Sequence, residues 1–219
     1  MVDLVSTLRS AQIVPVIRHS DPEIALTACD LLAEAGIGAL EITTTVPDAA
    51  ALIAELHQRY PSICIGAGTV LSAGQADKVL AAGAEFVVSP CWSDTAAREA
   101  KAAKVPYLPG ATTPGEVQHH AENGAAVIKI FPADAAGEPG FLKAVKSVFP
   151  DLALMPTGGV SPDTAQSYLN AGALCVGMGG NLLPARALEA GHIDLARAQI
   201  NAALSVASFQ SSQRKRILS

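Results

Sequence analysis

From Ile13 to Gly180 the chain repeats one pattern: a short apolar run, a turn rich in Gly, Pro, Ser or Thr, then an alanine-rich amphipathic stretch that usually ends in Gly. The first apolar runs are IVPVIR (13–18), ALEITT (39–44), CIGAGTV (64–70) and FVVSP (86–90). PYLPG (106–110), AVIKIFP (126–132), ALMPTGG (153–159) and ALCVGMGG (173–180) complete the set of eight. Short apolar runs bounded by turn residues read as buried strands. Between them, stretches such as DPEIALTACDLLAEAG (21–36) and SAGQADKVLAAG (72–83) carry a helical period, an N-cap residue and a glycine stop.

Strands that alternate with helices pair in parallel through right-handed crossovers. Eight such units predict an α/β fold of the (β/α)8 TIM-barrel type, with a doubly wound open sheet, which normally has fewer strands, as the alternative. Residues 1–10 predict a short helix before the first strand, and 182–209 a final helical region. On this reading 1–219 is a single barrel domain, and 210–219 is a frayed basic tail without function.

Composition narrows the function. Half of the 219 residues are hydrophobic and 16% are charged, enough for a large core. A formal net charge of -5 gives no general attraction to a phosphate backbone or an anionic membrane, so neither partner is expected. The opening MVDLVSTLRS lacks the charged start and apolar run of a signal peptide, so the cytoplasm is the expected location. Cys29, Cys64, Cys91 and Cys175 are far apart with no CxxC pair, which predicts reduced core thiols rather than disulfides or a metal site, with Cys91 singled out for attention. No metal and no cofactor is expected.

The chemistry of such a fold sits at the C-terminal ends of the strands. Strand alternation in AVIKIFP puts Ile128 and Ile130 on the face toward the helices, and Val127, Lys129 and Phe131 on the interior face. In ALEITT the same rule turns Glu41 and Thr43 inward. A lysine and a carboxylate therefore converge. A buried ion pair stabilises little, because desolvation offsets its Coulomb gain, so a chemical role explains the pair better than a structural one. Burial also disfavours the charged form of an amine and so favours the neutral nucleophile that Schiff-base chemistry needs.

Other strand ends supply small polar groups. Thr69 and Thr157 offer hydroxyls, Ser89–Pro90 ends the fourth strand, and Gly158–Gly159 and Gly179–Gly180 end the seventh and eighth, where this fold often holds phosphate on backbone N–H groups. Arg18 ends the first strand and would neutralise a substrate anion near those glycines, or else pair on the surface with Asp21 or Glu23. His57, His119 and His120 fall in helical stretches and read as surface residues; His19 would line the mouth, and His192 lies in the terminal region.

Taken together, VPVIR, ALEITTT, IGAGTVL, VVSP, KIFPA, PTGGV and the closing glycine loop resemble the 2-keto-3-deoxy-6-phosphogluconate (KDPG) and 4-hydroxy-2-oxoglutarate (KHG) aldolases. The resemblance runs from about residue 5 to 195 with the motifs in family order. It implies a class I, metal-independent aldolase on a trimeric (β/α)8 barrel, yielding pyruvate and an aldehyde from a 2-keto-3-deoxy acid. Lys129 would form the Schiff base and Glu41 would be the acid/base. Thr69, Thr157, Gly158, Gly159 and Pro90 would bind substrate, and some members carry an arginine where Arg18 stands.

Two positions depart from the family pattern. The arginine that well-known members carry four residues after the glutamate is Thr45 here, and the serine of the phosphate loop is Gly180, followed by Asn181. Both changes remove contacts to anionic groups of the substrate. Thr45 and Asn181 are therefore specificity candidates, and 6-sulfonated or unphosphorylated acids join the KDPG and KHG alternatives. Two other classes share features of the sequence. A non-catalytic sugar-acid or phosphate-binding barrel would keep the glycine loops but has no need of the inward lysine; an isomerase or epimerase of the same fold would use two carboxylates or a histidine instead.

Overall fold

The computed structural model describes residues 3–217, with side chains described as far as Val206. The basic side chains of the 210–219 tail lie outside the described residues, although the backbone of the last helix runs through Ile217. Helix α1 (Leu4–Ala11) precedes β1 (Ile13–Ile17), and strand and helix then alternate through α2 (Pro22–Glu34), β2 (Ala39–Thr43), α3 (Ala49–Arg59), β3 (Cys64–Gly68) and α4 (Ala73–Ala81). Next come β4 (Val87–Val88), α5 (Asp94–Ala102), β5 (Tyr107–Leu108), β6 (Gly110–Ala111), α6 (Pro114–Glu122) and β7 (Ile128–Ile130). The chain ends with α7 (Glu138–Val148), β8 (Leu154–Pro156), α8 (Pro162–Asn170), β9 (Val176–Met178), α9 (Ala185–Glu189) and α10 (Ile193–Ile217).

Local chemistry sets the helix limits. Asp21 accepts the N–H groups of Glu23 and Ile24 at the start of α2, and Thr113 and Glu116 form a reciprocal capping box at the start of α6. Gly36 follows α2 at φ +83°, a left-handed conformation that only glycine adopts without strain, and so ends the helix.

Every strand pairing is parallel, giving a curled α/β sheet. Six strands lie in the order β5-β4-β3-β2-β1-β9, and three in the order β6-β7-β8. The fifth predicted run does not form one strand. Proline has no N–H to donate, and at Pro109 the run splits into β5, which pairs with β4, and β6, which pairs with β7. At the other seam Thr157 and Gly177 form an isolated parallel bridge, and the Leu174 N–H donates to the Leu154 carbonyl at 2.8 Å.

Apolar residues sort to two sides of this sheet. Leu40, Ile42, Ile128 and Ile130 pack in one cluster with helix residues such as Leu32, Ile53 and Leu142. Val14, Ala39, Phe86, Leu108, Val127 and Met155 meet in a second, which Leu4 and Leu8 of α1 close off. Strand parity thus separates the two faces as the sequence predicts. Helix α1 seals the end where the strands begin and leaves their C-terminal ends open.

One surface expectation is corrected. His120 is only 2% exposed, because α6 turns it against the sheet, where Nε2 lies 2.8 Å from the Gly110 carbonyl and the ring stacks on Trp92 at 5.3 Å. Burial holds its pKa below the ordinary 6.5, so the folded ring is neutral where the unfolded one begins to charge. Below about pH 6.5 the unfolded chain takes up a proton that the folded chain refuses, and stability falls as pH falls until the buried ring titrates. His120→Gln keeps a donor for Gly110 and cannot titrate. Urea unfolding at neutral and mildly acid pH should show a smaller loss in the variant than in the wild type; equal losses would exclude this role.

Candidate active site

Lys129 is the middle residue of β7, flanked by Ile128 and Ile130, which anchor the strand in the helix-side cluster. Alternation therefore turns its side chain inward, where it is 5% exposed. Its Nζ lies 3.4 Å from Oε1 of Glu41 and 5.2 Å from the centroid of the Phe131 ring. Glu41, in β2, is fully buried, and its Oε2 has no hydrogen-bond partner. A buried carboxylate oxygen without a donor is costly, and the other oxygen, Oε1, is the one that meets Lys129.

Absent side chains make the room. A Cβ on Gly68 would fall 2.0 Å from Glu41 Oε1, and one on Gly177 would fall 2.2 Å from Thr157 Oγ1. Thr157, 5% exposed at the end of β8, keeps a hydroxyl without a partner. Two buried polar atoms, Glu41 Oε2 in β2 and Thr157 Oγ1 just after β8, are thus left without a partner.

Around this centre the other expected residues take clear positions. Arg18 lies at the end of β1 and reaches across two strand ends: Nη1 donates to Thr45 Oγ1 at 3.1 Å and Nη2 to Thr69 Oγ1 at 2.9 Å. It makes no surface pair with Asp21, whose carboxylate caps α2 instead. The Thr43 hydroxyl, 2.7 Å from Thr45 Oγ1, also bonds the Ile17 carbonyl. The Pro90 carbonyl packs against Gly110, where a Cβ would come within 2.1 Å of its oxygen.

Gly158 and Gly159 both hold left-handed backbones, at φ +92° and +72°, in the turn after β8. Gly180 has open space where a side chain would stand, and a cavity of about 210 Å³ beside it is lined by Arg18, His19, Ile24, Ala28, Gly179 and Leu188. Asn181 does not aim its amide into the mouth: Nδ2 donates to the Val160 carbonyl at 3.0 Å and ties the loop after β9 to the loop after β8. His19 stands 3.3 Å from Glu189 at this rim.

Cys29 and Cys175 are buried with thiols pushed up by desolvation, and partly buried Cys64 is pushed up to about 12. Cys91 is exposed after Pro90, so it is not a core thiol. Among the described residues no helix is long and apolar enough to cross a membrane.

Phe131, expected on the interior face but given no role, and Thr44 and Gln75, not expected here, complete this rim. Phe131 supplies a ring face to the lysine, while Thr44 and Gln75 hold the loop that carries Thr69. The alternation that selected Lys129 also places Phe131 on its side of the strand, whereas the Thr44 and Gln75 contacts depend on loop geometry that no periodicity encodes.

The family model for KDPG and KHG aldolases matches residues 4–199. The chain belongs to the KDPG and KHG aldolase family. It is 38% identical over 184 residues to a 2-dehydro-3-deoxy-phosphogluconate aldolase of Pseudomonas aeruginosa, covering 84% of this chain and 83% of the relative. With a KHG/KDPG aldolase of Escherichia coli it shares 35% identity over 190 residues, 86% of this chain and 89% of the other. Among solved structures, a KDPG aldolase of Legionella pneumophila with pyruvate captured as a covalent carbinolamine superposes with a TM-score of 0.82 and 32% identity, over 91% of this chain and 97% of that one.

Within this family framework Gly68 is a sharp test of the site. In Gly68→Ala the new methyl overlaps Glu41 Oε1, so the carboxylate must swing away from Lys129. Aldol cleavage should fall at least about tenfold, as a misplaced catalytic group commonly costs. Cleavage assays beside circular dichroism would check this; full activity in a folded variant would exclude the placement of Glu41.

Proposed function

We propose that Lys129 and Glu41 perform the family's class I aldol cleavage here, splitting a 2-keto-3-deoxy sugar acid into pyruvate and an aldehyde. The observation that carries this reading is the 3.4 Å approach of Lys129 Nζ to a fully buried glutamate with a free second oxygen. The carbinolamine trapped in the Legionella relative supports it.

Lys129 first passes its proton to Glu41 and, as the neutral amine, attacks the C2 ketone; Glu41 returns the proton to the departing hydroxyl, so that loss of water gives an iminium that draws electrons from the C3–C4 bond. Glu41 takes the proton of the C4 hydroxyl as that bond breaks, and the aldehyde leaves. The remaining enamine regains a proton at C3 from the acid form of Glu41, and water hydrolyses the iminium to free pyruvate and Lys129. The electron pair released at C3 is held as a neutral enamine throughout.

Arg18 and Thr69 hold the pyruvyl carboxylate. The resemblance to well-known family members implies a guanidinium at the position of Thr45; here one comes from the end of β1 and rests on the Thr45 hydroxyl, so the charge is supplied by another strand. Pro90 and Phe131 flank the pyruvyl half, and Thr157 offers its free hydroxyl to the bound substrate. Gly158, Gly159, Gly179 and Gly180 present backbone to the distal group, and Asn181 acts by fastening their two loops. The reading includes a closed (β/α)8 barrel, supported by the Thr157–Gly177 bridge and by continuity through Pro109. It also includes a homotrimer in the cytoplasm, supported by resemblance to the family.

Incubation with pyruvate and borohydride should add a pyruvyl mass at Lys129 and none in Lys129→Ala; an unmodified Lys129 would overturn the mechanism. Glu41→Gln should still form the adduct while cleavage falls by about 10²–10⁴-fold, the usual contribution of acid/base catalysis. A panel of 6-phosphorylated, 6-sulfonated and unsubstituted keto-deoxy acids with 4-hydroxy-2-oxoglutarate, compared by kcat/KM, assigns the distal group. A preference for the phosphorylated acid identifies the KDPG reading.

A further inference from the structure

Thr69 holds φ at +59°, a left-handed backbone that a β-branched residue adopts only under constraint. Two side chains outside the substrate-contacting set supply that constraint. The Thr44 hydroxyl donates to the Thr69 carbonyl at 2.7 Å, and Gln75 Nε2 lies 3.4 Å from the Thr44 oxygen. The other end of the same carboxamide accepts the Leu71 N–H at 2.8 Å. Backbone bonds complete the bracket, with Thr44 N–H donating to Gly68 and Val70 N–H to Val88. The turn from Gly68 to Leu71 is therefore tied at each residue, and its strained member is the one whose hydroxyl meets Arg18 at 2.9 Å.

Gln75 occupies the third position of α4, three residues after the Ser72 cap, where a carboxamide ordinarily folds back on the helix start. Its oxygen accepts from the Ser72 hydroxyl at 3.4 Å and from the Leu71 N–H one residue further, and its amide reaches across to Thr44, just past the end of β2. From this juxtaposition we propose that Thr44 and Gln75 are positioning residues that set affinity for the 2-oxo carboxylate by holding Thr69 in its strained turn, without touching substrate. The proposal rests on the assignment of Thr69 and Arg18 to that carboxylate. Released from Thr44, the turn relaxes toward negative φ, and the Thr69 hydroxyl leaves the guanidinium. Binding weakens while the distance between Lys129 and Glu41 is untouched, so the effect falls on KM and spares kcat.

Thr44→Val keeps the shape of the side chain and removes its hydroxyl. It should raise KM about tenfold, the scale of one lost hydrogen bond with its strain, and leave kcat within about twofold. Thr44→Ser should restore KM, and Gln75→Met should show a smaller rise of the same kind. In a Thr69→Ala background Thr44→Val should change nothing further, because its effect passes through Thr69. An unchanged KM, a fall in kcat alone, or an additive effect on Thr69→Ala would overturn the proposal. If Thr44→Val does not fold, the Gln75→Met and Thr44→Ser pair is read by the same criteria. Loss of the aldolase reading itself would show differently, as wild-type Lys129 that takes no pyruvate adduct.

Discussion

An ammonium and a carboxylate held 3.4 Å apart with almost no solvent access must offset the loss of hydration of both groups. Their mutual attraction covers part of that loss, and the Phe131 ring face adds to it on the lysine side. The remainder falls on the fold, and much of the architecture is explained by it. Ile128 and Ile130 anchor β7 from the helix side, and the fully buried Leu40 and Ile42 do the same for β2, so neither charge can turn outward without exposing its apolar neighbours. The pair is fixed by the strands that flank it rather than by its own bond.

Space is supplied by subtraction. Gly66 lies beneath the Phe86 ring, Gly68 beneath the Glu41 carboxylate and Gly177 beside the Thr157 hydroxyl, each where a methyl group would collide. One end of the interior is filled by Phe86, Met155 and the two leucines of α1, and the other is lined by small residues and polar ends. The interior is thus packed at one end, which gives rigidity, and open at the other, which leaves room beside Lys129 and Glu41.

Much of this was legible in the sequence, because the signals are short-ranged. Two-residue alternation is enough to turn Lys129 and Glu41 inward, and the caps at Asp21 and Thr113 are written in the residues that form them. What escaped depends on distances across the fold. PYLPG does not say which neighbour each half will meet: Tyr107 and Leu108 pair with β4, and Gly110 and Ala111 with β7. His120 looks like a surface residue until α6 is laid against Gly110 and Trp92. The absence of arginine at Thr45 suggested a lost contact, whereas Arg18, 27 residues earlier, places its guanidinium on that threonine.

Asn181 adds a constraint of a different order. By joining the loop after β9 to the carbonyl of Val160, it makes the two distal turns a single mechanical unit. A substitution at Gly159 is thus felt in the surroundings of Gly180, and the reverse. Changes at the two turns should therefore be epistatic: the order in which they are acquired matters, and a library that varies one loop at a time will miss combinations that work only together.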